Sequence, residues 1–182
     1  MFPTNDMSLE QKVKGIVRDV PDFPKEGIVF KDITTLFKDA ALIKEIHDDL
    51  VEKIKGLDVD AIAGIESRGF LLGPAVAMTL GLPFILIRKK GKLPYHTVSH
   101  KYDLEYGTAE IEMHTDAVSP GQKILIHDDL LATGGSASAA AELITKQGGK
   151  IAGFNFLIEL GFLSGRDILA NYSENITTLV DY

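Results

Sequence analysis

The sequence contains no cysteine and no tryptophan, and it has little positive charge. Without cysteine the chain can form no disulfide, and it offers no thiolate nucleophile and no cysteine-type zinc site. Its 19 Lys and Arg residues are outnumbered by 26 Asp and Glu residues, which gives a formal net charge of −7. Because nucleic-acid binding depends on neutralising phosphates, we expect no nucleic-acid partner.

Long hydrophobic runs are also missing. No apolar stretch approaches the roughly 18 residues that a membrane-spanning helix needs, and Met1 to Asp19 lacks a basic start followed by an apolar segment. We therefore expect no membrane association and a cytoplasmic location. The 182 residues suffice for one domain with a real core, and the ordinary composition excludes disordered, collagen-like and coiled-coil proteins.

Near-continuous apolar strands alternate with helical patterns along the chain. Strands are predicted at 60–65, 83–88, 123–127 and 151–159, and helices at 8–17, 40–55, 69–80 and 135–147. This alternation predicts an α/β fold with a mostly parallel sheet and helices on both faces. Residues 108–113 alternate polar and apolar side chains, which indicates an antiparallel strand or a hairpin at an edge of the sheet. The basic stretch 88–101 before it is predicted to be a loop.

In such sheets ligands bind beyond the carboxyl ends of the strands. The most informative segment there is Asp128–Ser136, DDLLATGGS, which follows the third predicted strand and opens an alanine-rich helix. Glycines let backbone amides approach a ligand, and free amides at a helix start favour an anion. Carboxylates instead accept hydrogen bonds from sugar hydroxyls, and adjacent strand residues point to opposite faces, so Asp128 and Asp129 are expected to act differently. These features describe a ribose 5-phosphate site, with a plain strand-to-helix turn as the simpler alternative.

Two further segments follow predicted strands. Residues 88–101 carry five cations and no acid, a pattern that fits either a solvated basic loop or a mobile loop that binds a polyanion such as pyrophosphate. Residues 66–69 resemble the nucleophile elbow of serine hydrolases, but Ile65 stands where that motif has glycine. A hydrolase that uses Ser67 is therefore a weak alternative, and its ester cleavage would be lost in Ser67→Ala.

The DDLLATGGS string resembles the phosphoribosyl-pyrophosphate binding motif of the type I phosphoribosyltransferases. Segments at 22–33, 64–70, 87–94 and 104–107 are similar in order and spacing to the adenine phosphoribosyltransferase subfamily, and the resemblance runs from about Ile16 to Leu160. It implies a type I phosphoribosyltransferase-like fold as a single domain over 1–182. A small amino-terminal hood at about 1–35 would bind the base, and a flexible basic loop would close over the substrate.

The reaction implied by this resemblance belongs to purine salvage. The 5-phosphoribosyl group would pass from phosphoribosyl pyrophosphate to adenine, giving AMP and pyrophosphate, in a homodimer. The implied cofactor is Mg²⁺, held by the substrate and water near Asp128 and Asp129 without a direct protein ligand. The alternatives are a phosphoribosyltransferase for xanthine, hypoxanthine or orotate, and a non-catalytic sensor of phosphoribosyl pyrophosphate.

The resemblance also assigns roles to single residues. Glu105 and Arg68 are catalytic, Glu105 as an acid or base near the purine imidazole nitrogens and Arg68 as a ligand of the leaving pyrophosphate. Phe30 stacks on adenine while backbone groups of Val29 and Lys31 bind the base edge, and many family members have Arg in place of Lys31.

The remaining substrate contacts implied by the family fall into three groups. The residues toward pyrophosphate and the closing site are Glu66, Ser67, Arg88, Lys89, Lys92 and Tyr106. Asp128 and Asp129 address the ribose hydroxyls, and Ala132, Thr133, Gly134, Gly135 and Ser136 hold the 5-phosphate. A cis peptide bond is expected between Glu66 and Ser67.

Overall fold

The chain separates into two units, Met1–Asp49 and Leu50–Tyr182, in a computed structural model that describes residues 7–103 and 108–182. The first unit opens with α1 (Leu9–Ile16), where the predicted helix lies. Ser8 caps this helix, because the Gln11 N–H donates to Ser8 Oγ at 3.2 Å and the Ser8 N–H donates to Gln11 Oε1 at 3.0 Å. Two short antiparallel strands follow, β1 (Arg18–Pro21) and β2 (Val29–Asp32), and then a 3-10 helix (Ile33–Lys38) and the start of α2 (Ala40–Ile54).

The second unit contains a seven-stranded sheet. Its strands are β3 (Ala61–Ile65), β4 (Phe84–Lys89), β5 (Thr97–Asp103), β6 (Thr108–His114), β7 (Lys123–Leu131), β8 (Lys150–Glu159) and β9 (Ile176–Asp181). In space they lie in the order β5-β6-β4-β3-β7-β8-β9. Five strands run parallel, whereas β5 and β6 are antiparallel at one edge. The predicted mostly parallel sheet is confirmed, and residues 108–113 form an antiparallel strand within a hairpin at the edge of the sheet. The edge strand itself is β5, because β6 lies between β5 and β4.

Helices cover both faces of this sheet, as predicted. The second unit adds α3 (Gly69–Leu80), α4 (Gly135–Lys146) and the short α5 (Gly165–Leu169). Ile126 of β7 belongs to one buried cluster with Ala140 and Ile144 of α4. The next residue, His127, faces α3, since a Cβ added at Gly73 would lie 3.0 Å from the His127 ring. Adjacent strand residues point to opposite faces, so α3 and α4 lie on opposite sides.

The segment after Leu160, for which the sequence predicted no structure, completes the sheet at its other edge. It contains α5 and β9, and β9 pairs parallel with β8. The Arg166 guanidinium forms a two-point ion pair with Glu159, with Nε 3.0 Å from Oε1 and Nη2 2.5 Å from Oε2. Its Nη1 also donates to the Ile176 carbonyl at 2.9 Å. Arg166 therefore ties α5 to the last two strands. In the described ranges no helix is long and apolar enough to cross a membrane.

The loop predicted over residues 88–101 is confirmed only in its middle part, and the prediction was wrong at both ends. Strand β4 runs through Lys89 and β5 begins at Thr97, so only a turn at 90–96 separates them. Strand β5 pairs with β6 along its whole length, from Thr97 opposite His114 to Asp103 opposite Thr108. The many cations suggested a loop, but Thr, Val and Tyr side chains favour strands, and the pairing with β6 decides the outcome.

A first prediction concerns the close approach of α3 to β7. A Cβ added at Gly69 would lie 2.7 Å from the His127 carbonyl oxygen and 3.3 Å from Asp128 Oδ1. Backbone atoms cannot turn away as a flexible side chain can, so Gly69→Ala should lower the free energy of unfolding by about 1–3 kcal/mol in urea titrations. Gly15 in α1 has nothing within 4 Å of such a Cβ. As the control, Gly15→Ala should raise stability by about 0.5–1 kcal/mol. Equal unfolding midpoints for Gly69→Ala and the wild type would refute the close packing.

Candidate active site

Three polar segments meet at the carboxyl edge of the sheet, as the sequence predicted. Glu66 to Arg68 follow β3, Arg88 and Lys89 end β4, and the two aspartates lie near the end of β7. Strand β3 is the neighbour of both β4 and β7 in the sheet, and all three run parallel. The chain therefore delivers cations and carboxylates to one place, because parallel neighbours end at the same edge.

Two adjoining cavities open at this edge, with volumes of about 180 Å³ and about 340 Å³. The smaller is lined by Arg68, residues 128–137 and Phe156. The larger is lined by Ile65, Glu66, Ser67, Arg68, Lys89, Tyr102, Ile111, Asp128, Asp129 and Ser136. Arg68, Asp128, Asp129 and Ser136 line both, so the two cavities share one polar wall. Arg88 and Lys92, which were predicted to bind substrate, line neither of these two cavities.

The smaller cavity surrounds the glycine loop (Ala132–Ser136) at the start of α4. Gly134 takes a left-handed conformation, with φ = 83°, and is the N-cap of α4. No side chain of the described residues caps this helix start. The amides of the first helical turn therefore lack intrahelical acceptors, and together with the helix dipole they favour an anion in the cavity.

The glycine loop is supported by Gly165 of α5, a residue that the sequence analysis missed. A Cβ added at Gly134 would lie 2.9 Å from the Gly165 carbonyl oxygen. A Cβ added at Gly165 would overlap the Ala132 carbonyl oxygen. The loop and the start of α5 thus pack backbone against backbone. The two glycines are about 30 residues apart in the chain, and no local pattern links them.

Asp128 and Asp129 have different surroundings, although both line both cavities, and their different roles stay a prediction. Strand β7 extends to Leu131, beyond its predicted end at His127, so both aspartates lie within it. Asp129 is 5% exposed, and its Oδ2 lies 2.7 Å from Nε of Arg68. Asp128 Oδ1 accepts the Asp129 N–H at 2.9 Å. Burial and the negative charge of Asp129 raise the pKa of Asp128 well above its usual value.

A neutral polar network lies behind the two aspartates. His127 is buried, and its Nδ1 lies 2.8 Å from Oδ1 of Asn155. The Asn155 amide nitrogen donates to Thr177 Oγ1 at 2.9 Å. Because Asn155 Oδ1 only accepts, the His127 proton sits on Nδ1. Burial lowers the pKa of His127, so this side chain adds no charge beneath the carboxylates.

Glu66 and Arg88 form an ion pair that joins the ends of β3 and β4. Arg88 Nε and Nη2 donate to the two Glu66 carboxylate oxygens at 3.0 Å and 3.2 Å, and the Lys89 N–H donates to Oε2 at 3.1 Å. Burial alone would raise the pKa of Glu66, but these donors outweigh it and the pKa is lowered. The peptide bond between Glu66 and Ser67 is cis, which confirms that expectation.

The turn that carries the basic side chains is held by a carboxylate that the sequence analysis missed. Glu112 of β6 is 2% exposed, and its Oε1 accepts the N–H groups of Lys92 and Leu93, both at 2.8 Å. Its Oε2 accepts the Thr97 hydroxyl at 3.2 Å. Burial alone would raise the pKa of Glu112, but the backbone donors of Leu93, Gly91 and Lys92 outweigh it, and the pKa is lowered. Glu112 thus fixes the turn at 90–96 against the sheet.

The residues predicted to contact adenine belong to the first unit. Val29 is 49% exposed at the start of β2. The Phe30 ring meets the Phe23 ring edge to face, with centroids 5.2 Å apart. Lys31 Nζ donates to Asp19 Oδ1 at 2.7 Å. Their assignment to adenine stays a prediction.

Glu105 and Tyr106 lie outside the described residues, between the end of β5 at Asp103 and the start of β6 at Thr108. Their assigned parts, in proton transfer and in covering the closed site, stay predictions.

Few side chains at the two cavities could serve as ligands for Mg²⁺. Within 7–103 and 108–182 no group of three His, Asp or Glu side chains could hold a metal ion. The cavities offer the carboxylates of Asp128 and Asp129, and the latter pairs with Arg68. Two carboxylates fit a Mg²⁺ ion that is held mainly by substrate oxygens and water, because Mg²⁺ dehydrates reluctantly.

Comparisons with known proteins agree with this geometry. The family model of the phosphoribosyl transferase domain matches residues 31–162. The adenine phosphoribosyltransferase of Cytophaga hutchinsonii is 54% identical over 179 residues, which cover 98% of this chain and 99% of that protein. The crystal structure of the adenine phosphoribosyltransferase from Thermoanaerobacter pseudethanolicus has a TM-score of 0.91 at 46% identity and covers 96% of this chain and 100% of that one. The Trypanosoma brucei adenine phosphoribosyltransferase, solved with AMP, pyrophosphate and ribose 5-phosphate, has a TM-score of 0.85 at 27% identity, with coverages of 98% and 82%.

The parallel sheet, the glycine loop and the family match define a phosphoribosyltransferase of type I fold. This chain belongs to that family, and its identity over almost the full length places it among the adenine phosphoribosyltransferases. The family resemblance drawn from DDLLATGGS is thereby confirmed.

A second prediction follows from the raised pKa of Asp128. The folded protein keeps a proton on Asp128 at pH values where the unfolded chain, with an aspartate pKa of about 3.9, has lost it. Stability due to this group is therefore present at low pH and is lost as pH rises through the folded pKa. Asp128→Asn removes the ionisation and should raise the free energy of unfolding at neutral pH, by about 1.4 kcal/mol for each unit of pKa elevation.

Urea unfolding of both proteins from pH 4 to pH 8 checks this prediction. The gain from Asp128→Asn should shrink toward pH 4, where the wild-type carboxyl is protonated. The exposed Asp116 supplies the control, since Asp116→Asn should leave stability nearly unchanged across this range. A gain for Asp128→Asn that does not vary with pH would contradict the assigned cause.

Proposed function

We propose that this chain transfers the 5-phosphoribosyl group from phosphoribosyl pyrophosphate to adenine, giving AMP and pyrophosphate in purine salvage. The observation that carries the proposal is one wall shared by two cavities, on which an anion-binding loop meets a carboxylate pair and Arg68. A sugar that carries phosphate at one end and pyrophosphate at the other needs such a wall. The full-length relatives named adenine phosphoribosyltransferase support the choice of base. The cytoplasmic location expected from the sequence stays a prediction.

We assign the smaller cavity to the 5-phosphate. The amides of the glycine loop and of the first turn of α4 would donate to phosphate oxygens, joined by the hydroxyls of Thr133 and Ser136. Asp128 and Asp129 would accept hydrogen bonds from the ribose hydroxyls. Their shared position on the wall of both cavities supports this assignment, because the ribose links the two phosphate groups.

We assign the larger cavity to pyrophosphate. Ser67, Arg68 and Lys89 line it, and Glu66 forms part of its wall. Arg88 and Lys92 complete the proposed set, and Arg88 would first have to exchange its pair with Glu66 for the substrate. Guanidinium and ammonium groups at this place would stabilise the charge that develops on the leaving pyrophosphate.

The reaction requires mainly that the protein hold its two substrates in the correct relative position. Adenine attacks the anomeric carbon as pyrophosphate leaves, through a transition state of oxocarbenium character. Holding both substrates in line lowers the entropic part of the barrier. Phe30 is proposed to stack on the base, with backbone groups of Val29 and Lys31 at its edge. Glu105 is proposed to exchange a proton with the base, and Tyr106 to help exclude water from the reacting carbon.

Mg²⁺ is proposed as the cofactor, with the carboxylates of Asp128 and Asp129 as the groups nearest to it, through water. When bound it would neutralise pyrophosphate oxygens and so help the leaving group. Positive charge beside Asp128 would also favour the ionised carboxylate, whose pKa is raised in the protein alone.

A homodimer is proposed as the assembly, and exposed apolar side chains in the second unit support it. Met78 is 80% exposed and Leu71 is 46% exposed. They lie seven residues apart in α3 and therefore share one helix face. Leu86 of β4 is 41% exposed, between the buried Ile85 and Ile87. Large apolar side chains on the surface mark interaction sites when they cluster.

The third prediction tests the reaction directly. AMP should form from adenine, phosphoribosyl pyrophosphate and Mg²⁺, and chromatography would detect it. Hypoxanthine, guanine, xanthine and orotate in parallel reactions should give little or no nucleotide. Omitting Mg²⁺ with excess chelator should abolish turnover.

Other outcomes of this assay would select the alternatives. Product from another base, with none from adenine, would replace adenine as the substrate. Binding of phosphoribosyl pyrophosphate without product from any base would favour the sensor. Ester hydrolysis that disappears in Ser67→Ala would favour the hydrolase.

The fourth prediction tests the assembly. Light scattering after size-exclusion chromatography should give a dimer of the 19.8 kDa chain. Met78→Glu places a charge on the exposed α3 face and should shift the protein toward monomer. Ile168→Glu makes the same kind of change at a 44% exposed position of α5 and should leave the dimer intact. A monomeric wild type would refute the homodimer.

A further inference from the structure

Tyr102 connects the antiparallel hairpin, formed by β5 and β6, to the glycine loop. It lies in β5, opposite Ala109 of β6, and its ring packs against the buried cluster of the second unit. Its hydroxyl lies 3.1 Å from Oγ of Ser136. Tyr102 also lines the larger cavity. No local sequence pattern marks Tyr102, because its partner is 34 residues away in the chain.

Strand β5 is held on α4 by a second contact as well. Lys146, in the last turn of α4, has its Nζ 2.8 Å from Nδ1 of His100. His100 and Tyr102 are two residues apart in β5 and therefore point to the same side of the strand. Two polar contacts on one face of β5 thus bring the Tyr102 hydroxyl to Ser136.

The direction of the Tyr102–Ser136 hydrogen bond follows from what Ser136 is proposed to bind. A phosphate oxygen in the smaller cavity accepts hydrogen bonds, so the Ser136 hydroxyl proton would point toward it. The Ser136 oxygen is then left as an acceptor, and the Tyr102 hydroxyl is the donor beside it. Such a chain of hydroxyls fixes the Ser136 rotor and strengthens its bond to the anion, since hydrogen bonds in a chain polarise one another.

We propose that Tyr102 is a positioning residue for the sugar phosphate, acting by donating its hydroxyl hydrogen bond to Ser136 in the glycine loop. The proposal rests on the proposed function, because it takes the smaller cavity as the 5-phosphate site. It also gives the hairpin of β5 and β6 a part in substrate binding, in addition to holding the turn at 90–96 through Glu112.

Binding of ribose 5-phosphate by isothermal titration calorimetry tests this proposal without turnover. Tyr102→Phe keeps the packed ring and removes only the hydroxyl, and it should weaken ribose 5-phosphate about fivefold to tenfold. Its affinity for pyrophosphate should stay within about twofold, as should the KM for adenine, while the KM for phosphoribosyl pyrophosphate rises. In a Ser136→Ala background the added Tyr102→Phe should have no further effect on ribose 5-phosphate, because its acceptor is gone.

Tyr172 provides the matched control, because its hydroxyl also bonds to a side chain of α4. Its ring packs against the same cluster, and its hydroxyl donates to Glu142 of α4 at 2.7 Å, while it lines neither cavity. Tyr172→Phe should leave ribose 5-phosphate affinity unchanged. Unchanged affinity in Tyr102→Phe, or the same loss in the Ser136→Ala background, would overturn the proposal.

The same titrations separate this proposal from the proposed reaction. A wild type that binds ribose 5-phosphate but forms no AMP would refute the reaction alone, and the Tyr102→Phe result would still decide the positioning role. A wild type that does not bind ribose 5-phosphate would overturn both.

Discussion

The pairing of Arg68 with Asp129 is the interaction on which the arrangement of the cavities depends. Two adjacent carboxylates stand beside a loop whose amides favour anions, and one of them is almost fully buried. A buried charge without a partner strongly destabilises a fold. The Arg68 guanidinium, 2.7 Å from Asp129, supplies the opposite charge that offsets the cost of burying this carboxylate. Arg68 follows β3 and Asp129 lies in β7, so the parallel pairing of these two strands is what brings the charges together.

Around this pair the scaffold is held by contacts that carry no net charge. His127 is neutral and hydrogen-bonded to Asn155, so it links β7 to β8 without placing another charge near the two carboxylates. The contact of Gly134 with Gly165 fixes the glycine loop through backbone packing. Binding sites need such supporting contacts, because small displacements of the contacting groups weaken their interactions with a ligand. At the antiparallel edge of the sheet the supporting contact is charged. There the Glu112 carboxylate accepts hydrogen bonds from backbone amides of the turn at 90–96.

Features that depend on neighbouring residues in the chain could be predicted from the sequence. The buried parallel strands, their helices and the DDLLATGGS loop each have a local signal in periodicity or turn chemistry. The strand at Thr97–Asp103 was missed because the prediction included it in a basic loop over 88–101, whereas its pairing with β6 decided its conformation. Glu112, Gly165 and Tyr102 were missed for a related reason. Each acts on a partner about 20 or more residues away, where no pattern within a window can show it.

The amino-acid sequence alone was enough to identify the available chemical groups and the class of protein. It excluded thiolate chemistry, supplied carboxylates and an anion-binding loop in one string, and carried the family resemblance. The charges that neutralise one another could be identified only in the folded chain, where Arg68 pairs with Asp129 and Arg88 with Glu66. Folding also raises the pKa of Asp128, because burial and the charge of Asp129 act on this carboxyl only after the strands have met.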